Sequence, residues 1–197
     1  MVVLKSFETG YDRLCETETI GVLAVIRLLI ATHASKSNAI VSCNCGYSIQ
    51  EAIANGCKYD PMATSWLPAA CRDDELIDQF NHAGPGPNGE WSYYKTQAGN
   101  DTYTLEEVAM LAEKTGDEAS FWTTHEWHIG HCLFYWRKES RARVSGKVAI
   151  ETSFTGDYHV SHCEEVLKSC RPLDEINTRS SAGLNSDLND DGTVAEG

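Results

Sequence analysis

Apolar positions along the chain fall into short groups, most of them at helical spacing. The first group, residues 20–31, is a nearly continuous apolar run with Arg27 at its middle. A bilayer-spanning helix needs about 20 apolar residues, and a central arginine costs about 2.5–3.5 kcal/mol on insertion. The run is therefore read as a candidate signal anchor, a signal-peptide core or an amphipathic helix. Further on, Ser48 predicts an N-cap for a helix over 49–55, ended by Gly56. Pro61 and Pro68 exclude a regular helix over 60–68. Asp73 or Asp74 opens the next helix, which carries Leu76, Ile77 and Phe80 on one side. After the glycine- and proline-rich loop 84–89, residues 91–94 predict a short strand. Thr104 and Glu107 stand at capping-box spacing and start a helix to about residue 114. Residues 118–143 read as one long helix rich in aromatics, with a basic end as the helix dipole prefers. Another helix spans 157–168. Beyond Pro172, six acidic residues accompany a single arginine, and this composition predicts a disordered tail.

The expected architecture is mainly α: a small helical domain with disulfides, two long helices and one short β-hairpin. Three parts follow: an N-terminal segment 1–42 with the candidate anchor, a helical domain 43–172, and a disordered acidic tail 173–197. Within the tail, Asp187, Asn189, Asp191 and Gly192 imitate the first half of an EF-hand loop. The closing Glu and the flanking helices are missing, so calcium binding is not expected there.

The two long helices carry the chemistry. His128-Ile-Gly-His131-Cys132 recurs in the same His-x-x-His-Cys form as His159-Val-Ser-His162-Cys163. Histidines at i and i+3 share one helical face, with the cysteine at i+4 beside the first of them. Imidazole is the commonest metal ligand, and two such helices face to face offer up to four. His128, His131, His159 and His162 are thus the candidate metal ligands and catalytic centre. Neutral imidazoles suit Cu, Zn, Fe or Ni, with raw affinity favouring copper; zinc in a closed structural site is the alternative. His125-Glu126-Trp127-His128 lacks the i, i+4 spacing of a zinc protease motif. Glu126 and Asp157 flank the motifs and could fix imidazole tautomers. His33 and His82 are left as surface residues, and Trp122, Trp127, Trp136 and Tyr158 as core.

Composition narrows the class. A net charge of −13 over 197 residues disfavours nucleic acid as a partner. Eight cysteines without a CxxC pair of pairs disfavour a cysteine-ligated zinc site and favour disulfides in an oxidising compartment. Cys132 and Cys163, equivalent in the two motifs, are expected to bridge the helices, with thiolate ligation the alternative. Cys45, Cys57 and Cys71 are expected to staple the N-terminal part of the domain, in a connectivity that spacing leaves open. Asn100-Asp-Thr102 is an N-glycosylation sequon, in keeping with the secretory pathway.

The twin motifs, with the run from His128 to Lys138, resemble those of the UstYa-like proteins of filamentous fungi. Cys45-Gly46-x-Ser48, Glu51-Ala52, Gly56-Cys57-x-x-Asp60, Trp66-x-Pro68 and Cys71-x-Asp73-x-Glu75-Leu76 resemble a broader set of fungal membrane-anchored proteins with the same pair of motifs. The likeness covers residues 43–168. It implies secondary metabolism, with oxidative cyclisation, hydroxylation, dehydrogenation or halogenation of a peptide-derived or other natural product, and copper held by His128, His131, His159 and His162. It also implies a single membrane span with a lumenal domain. The expected function is a copper-dependent oxidase acting on a small-molecule or peptide-derived substrate, its site formed within one chain or across a homodimer. The alternative is a non-enzymatic secretory-pathway protein with a structural zinc and disulfide site.

Overall fold

The computed structural model describes residues 41–187. The candidate anchor at 20–31, Cys15, His33 and residues 188–197 lie outside the described residues. Among the described residues no helix is long and apolar enough to cross a membrane.

Two disulfides, Cys43–Cys71 and Cys45–Cys57, tie down the start of the domain. Between them Ser48 caps α1 (Ile49–Ala54), its hydroxyl accepting from the Glu51 amide at 3.1 Å. Gly56, at φ +72°, then turns the chain into β1 (Lys58–Asp60). β1 pairs antiparallel with β2 (Ser65–Leu67), Lys58 lying opposite Leu67. The turn between these strands, residues 61–64, is buried throughout. Such a turn needs internal partners for its amides, and Asp60 Oδ1 supplies them by accepting from Met62 N at 2.9 Å and Ala63 N at 3.1 Å.

Asp73 caps α2 (Asp74–Asn81), which sends Leu76 and Phe80 into the core. Phe80 is the hub of an aromatic cluster, its ring centre 5.4 Å from Trp91, 6.0 Å from Trp127 and 5.3 Å from Phe134. β3 (Tyr93–Tyr94) and β4 (Thr102–Tyr103) form a short hairpin, and Thr104 with Glu107 makes the expected capping box at the start of α3 (Leu105–Met110). There follow β5 (Ser120–Thr124), α4 (His125–Ser145), α5 (Asp157–Lys168) and β6 (Ile176–Ser181). The larger sheet is antiparallel in the order β4-β3-β5-β6. The fold is mainly α with some β, as expected, but with more strand than one hairpin.

Three expectations are corrected. The long helix predicted over 118–143 is a strand followed by a helix. Ser120-Phe-Trp-Thr-Thr alternates, with Phe121 and Thr123 buried and their neighbours half-buried, which is the period of a strand. Thr124 ends that strand and caps α4, its hydroxyl accepting from Trp127 N at 3.3 Å. The acidic tail is not disordered over 173–187. Its β6 pairs along the length of β5, from Ser120 opposite Ser181 to Thr124 opposite Ile176. Just before β6, the carbonyls of Leu173 and Glu175 accept from Glu126 N and His125 N at 2.9 Å each, filling first-turn donors of α4 that have no partner within the helix. Tyr158, expected in the core, is 86% exposed.

Cys132–Cys163 joins α4 to α5 as expected; Cys170 is exposed and forms no disulfide with another of the described residues. The bridge closes a separation of 31 residues. Replacing both cysteines by alanine should lower unfolding free energy by about 3–4 kcal/mol on chain-entropy grounds. Urea denaturation is the check, and an unchanged midpoint would show that the helices hold together without the bridge.

A paired-histidine candidate metal centre

The two motif helices present their histidines in opposite order. His128 Nε2 lies 2.9 Å from His162 Nε2, and His131 Nε2 lies 3.3 Å from His159 Nε2. The first partner on α4 thus meets the second on α5, as antiparallel helix faces require. All four predicted histidines are brought together, as two facing pairs. Among the described residues no group of three or more His, Cys, Asp or Glu side chains forms a ready-made metal cage. Two nitrogens bound to one metal at about 2.0–2.1 Å sit about 3–3.4 Å apart, so each pair is spaced to share a cation.

Tautomers follow from the partners of the other ring nitrogens. A carbonyl only accepts, so His131 Nδ1 donates to Met62 O at 2.7 Å, leaving Nε2 with its lone pair. The Thr178 hydroxyl donates to Asn177 Oδ1 at 3.1 Å and so accepts from His128 Nδ1 at 3.2 Å. His128 Nε2 is therefore a free base as well. These orienting bonds come from Met62 and Thr178, not from Glu126 or Asp157.

The pairs differ in surroundings. His131 and His159 are 7% and 5% exposed, whereas His162 is exposed and His128 half-buried. Trp127 stacks on His131 with ring centres 5.4 Å apart, and Tyr135 and Phe154 lie against both inner imidazoles at 4.9–5.6 Å. Cys163 Sγ, within the interhelix disulfide, is 3.6 Å from His159 Nε2. A cleft of about 580 Å³ exposes all four histidines, with Thr64, Ser180, Ser181 and Arg179 on its polar wall. A second cleft, of about 540 Å³, reaches His128 and His162 from the side of His125 and Ser169. His125, at the start of α4, is itself buried and bonded through Nε2 to Ser169 Oγ at 3.2 Å.

Burial, followed by repulsion from neighbouring imidazoles, pulls His128 down to about 4, His131 to about 3 and His159 to about 4. These side chains stay neutral, which is the state that binds metals. Behind them Tyr135 donates to Glu151 Oε1 at 3.3 Å, and the same oxygen accepts from Lys138 Nζ. Lys138 also lies 4.0 Å from Asp60 Oδ2, and all three charged side chains are fully buried. No periodicity marks this triad; only the position of Lys138, two helical turns after His131, hints that it shares the motif's face. The remaining expectations divide: His82 is exposed and Trp127 buried, while Trp122 and Trp136 are half-buried.

Phomopsin biosynthesis cluster proteins B and B′ of Diaporthe leptostromiformis are each 28% identical to this chain over 120 residues. The match covers 60% of this chain and 34% of theirs, so the chain spans about a third of the length of the curated relatives it matches. No family model matches the chain, and no solved structure matches it.

The lowered histidines make the metal-free protein acid-sensitive. Their folded-state values lie below the ordinary value of about 6.5, so the unfolded chain binds more protons in acid. The stability they carry is full above pH about 6.5 and lost as pH falls toward about 4 for His128 and His159 and about 3 for His131. Asp60 and Glu151, raised by burial, act in the opposite sense. The histidine share is therefore read as the difference between the chelator-treated protein and His159→Phe in urea unfolding across that range. The loss on acidification should be smaller in the variant; an equal or larger loss would contradict the assignment.

Proposed function

We propose that this domain is a copper-dependent oxidase of secondary-metabolite biosynthesis. The observation that carries the proposal is the pairing of the four motif imidazoles along one open cleft, with His128 and His131 held as free Nε2 bases. Similarity to two phomopsin biosynthesis cluster proteins supports the metabolic setting. His128, His131, His159 and His162 would hold the metal, and copper, when bound, supplies one-electron and dioxygen chemistry. The chain's own residues do the rest. Met62 O and the Thr178 hydroxyl fix two tautomers before any ligand arrives. Trp127, Tyr135 and Phe154 pack their rings around the inner pair and hold those imidazoles in place. Arg179, Ser180 and Ser181 offer a wall for the amide, hydroxyl or carboxylate groups of a natural-product intermediate.

Three disulfides among the described residues fit maturation in the secretory pathway. In that setting Asn100, exposed just before β4, is a glycan acceptor. Protein secreted from a eukaryotic host should lose an endoglycosidase-sensitive mass increment in Asn100→Gln; an identical mass for both proteins rules the acceptor out.

The chemistry is tested by loading purified, chelator-stripped protein with copper and following spin resonance and oxygen uptake. Nitrogen hyperfine splitting from imidazole is expected. His131→Ala and His159→Ala should each weaken copper binding by more than about a hundred-fold, beyond the effect expected of outer partners. Retention of zinc with rejection of copper would replace the oxidase with a structural zinc site.

A further inference from the structure

The Asp60–Lys138–Glu151 triad lines neither histidine cleft, yet it sets three charged side chains in the interior. Three fully buried charged side chains meet where β1 ends, beside α4 and the turn that begins at Glu151. Isolated buried charges are avoided, and replacing such groups with apolar ones is often neutral or stabilising, so their presence calls for a role in placement.

That role is visible in what each member holds. Asp60 uses Oδ1 for the amides of Met62 and Ala63, and turns Oδ2 toward Lys138. The turn so gripped is buried from Pro61 to Thr64, and its Met62 carbonyl is the acceptor for His131 Nδ1 at 2.7 Å. At its far end Thr64 sits at φ +53°, a conformation a β-branched residue adopts only when its surroundings over-determine it. Those surroundings are Gly183 N, donating to Thr64 O at 3.0 Å, and the Ser180 hydroxyl, 3.4 Å from Thr64 Oγ1. On the other side Lys138 and Tyr135 converge on Glu151 Oε1, and Tyr135 is the ring that packs on His131 and His159.

We propose that Asp60, Lys138 and Glu151 are positioning residues: they lock the 61–64 turn so that Met62 O holds His131 in the Nδ1–H tautomer, with Nε2 facing His159. The proposal rests on the reading of His131 and His159 as metal ligands for its purpose, but not for its geometry.

The test uses the full chain, metal-free and labelled with ¹⁵N-histidine, and reads tautomers from long-range ¹H–¹⁵N correlation. Wild-type His131 should be in the Nδ1–H form. Lys138→Met and Asp60→Ala should each give mixed tautomers and weaken copper binding by about ten- to a hundred-fold, while Glu151→Gln, which keeps an acceptor for Lys138 and Tyr135, stays within about threefold of wild type. Val108→Ala, in the core on α3, controls for general destabilisation and should leave the tautomer unmoved. A wild-type spectrum showing Nε2–H, or a folded Lys138→Met or Asp60→Ala protein with pure Nδ1–H and unchanged affinity, overturns the proposal. Should neither of those two variants fold, the wild-type spectrum decides alone. Failure of wild type to bind copper would remove the oxidase reading and leave the tautomer result standing.

Discussion

The contact between α4 and α5 is the constraint on which the rest of the structure depends. Bringing imidazoles within 2.9 and 3.3 Å of one another buries the inner pair and sets like charges together whenever two are protonated. Two helices would not settle in that arrangement on histidine contacts alone. The Cys132–Cys163 bridge fixes it covalently, directly after the inner histidine of α4 and the outer histidine of α5. The first turn of α4 is held by backbone carbonyls of Leu173 and Glu175, and His125 reaches Ser169 beyond the end of α5. Disulfide, strand and cap thus act on one interface from three directions, and the histidine pairs are its consequence.

The elements that could be read from sequence were those whose signals are local. Caps at Ser48, Asp73 and Thr104 formed as their side-chain chemistry requires, and α5 begins and ends where its pattern does. The histidine faces followed from helical spacing, and the bridge between Cys132 and Cys163 from their equivalent positions. What was hidden depends on partners distant in sequence. β5 carries aromatics at spacings that a helix also accepts, and only pairing with β6 decides for strand. β6 itself, Ile-Asn-Thr-Arg-Ser-Ser, has little to bury. Its order comes from a backbone ladder that composition does not reveal. Tyr158 was misplaced because an aromatic in a helix suggests core, yet it sits one position from His159 and faces away from α4 into solvent.

The interior chemistry behind the cleft is decided by desolvation. Burial raises Asp60 and Glu151, while the nearby ammonium of Lys138 works against that rise. Burial likewise raises Tyr135, so its phenol stays a donor to Glu151. Phe154 packs over Tyr135 on the cleft side of this layer, their ring centres 4.4 Å apart. Charges placed in such surroundings have few alternative partners, and low local polarity makes each remaining hydrogen bond more costly to break. The same scarcity that makes the triad expensive also makes it rigid.

Rigidity is distributed unequally between the two pairs, and the difference follows from the acceptor each α4 histidine meets. His131 donates to a backbone carbonyl in a buried turn, an acceptor that cannot rotate or change role. His128 donates to a hydroxyl, whose orientation depends on Asn177 accepting in turn. A hydroxyl can reverse its polarity when a new donor or acceptor arrives, so the outer imidazole is the one able to adjust. Exposure runs the same way, since His162 faces solvent and the outer pair is reached from both clefts. The inner pair is therefore built to keep one geometry and the outer pair to respond to what enters, a division fixed by Met62 and Thr178 rather than by the histidines themselves.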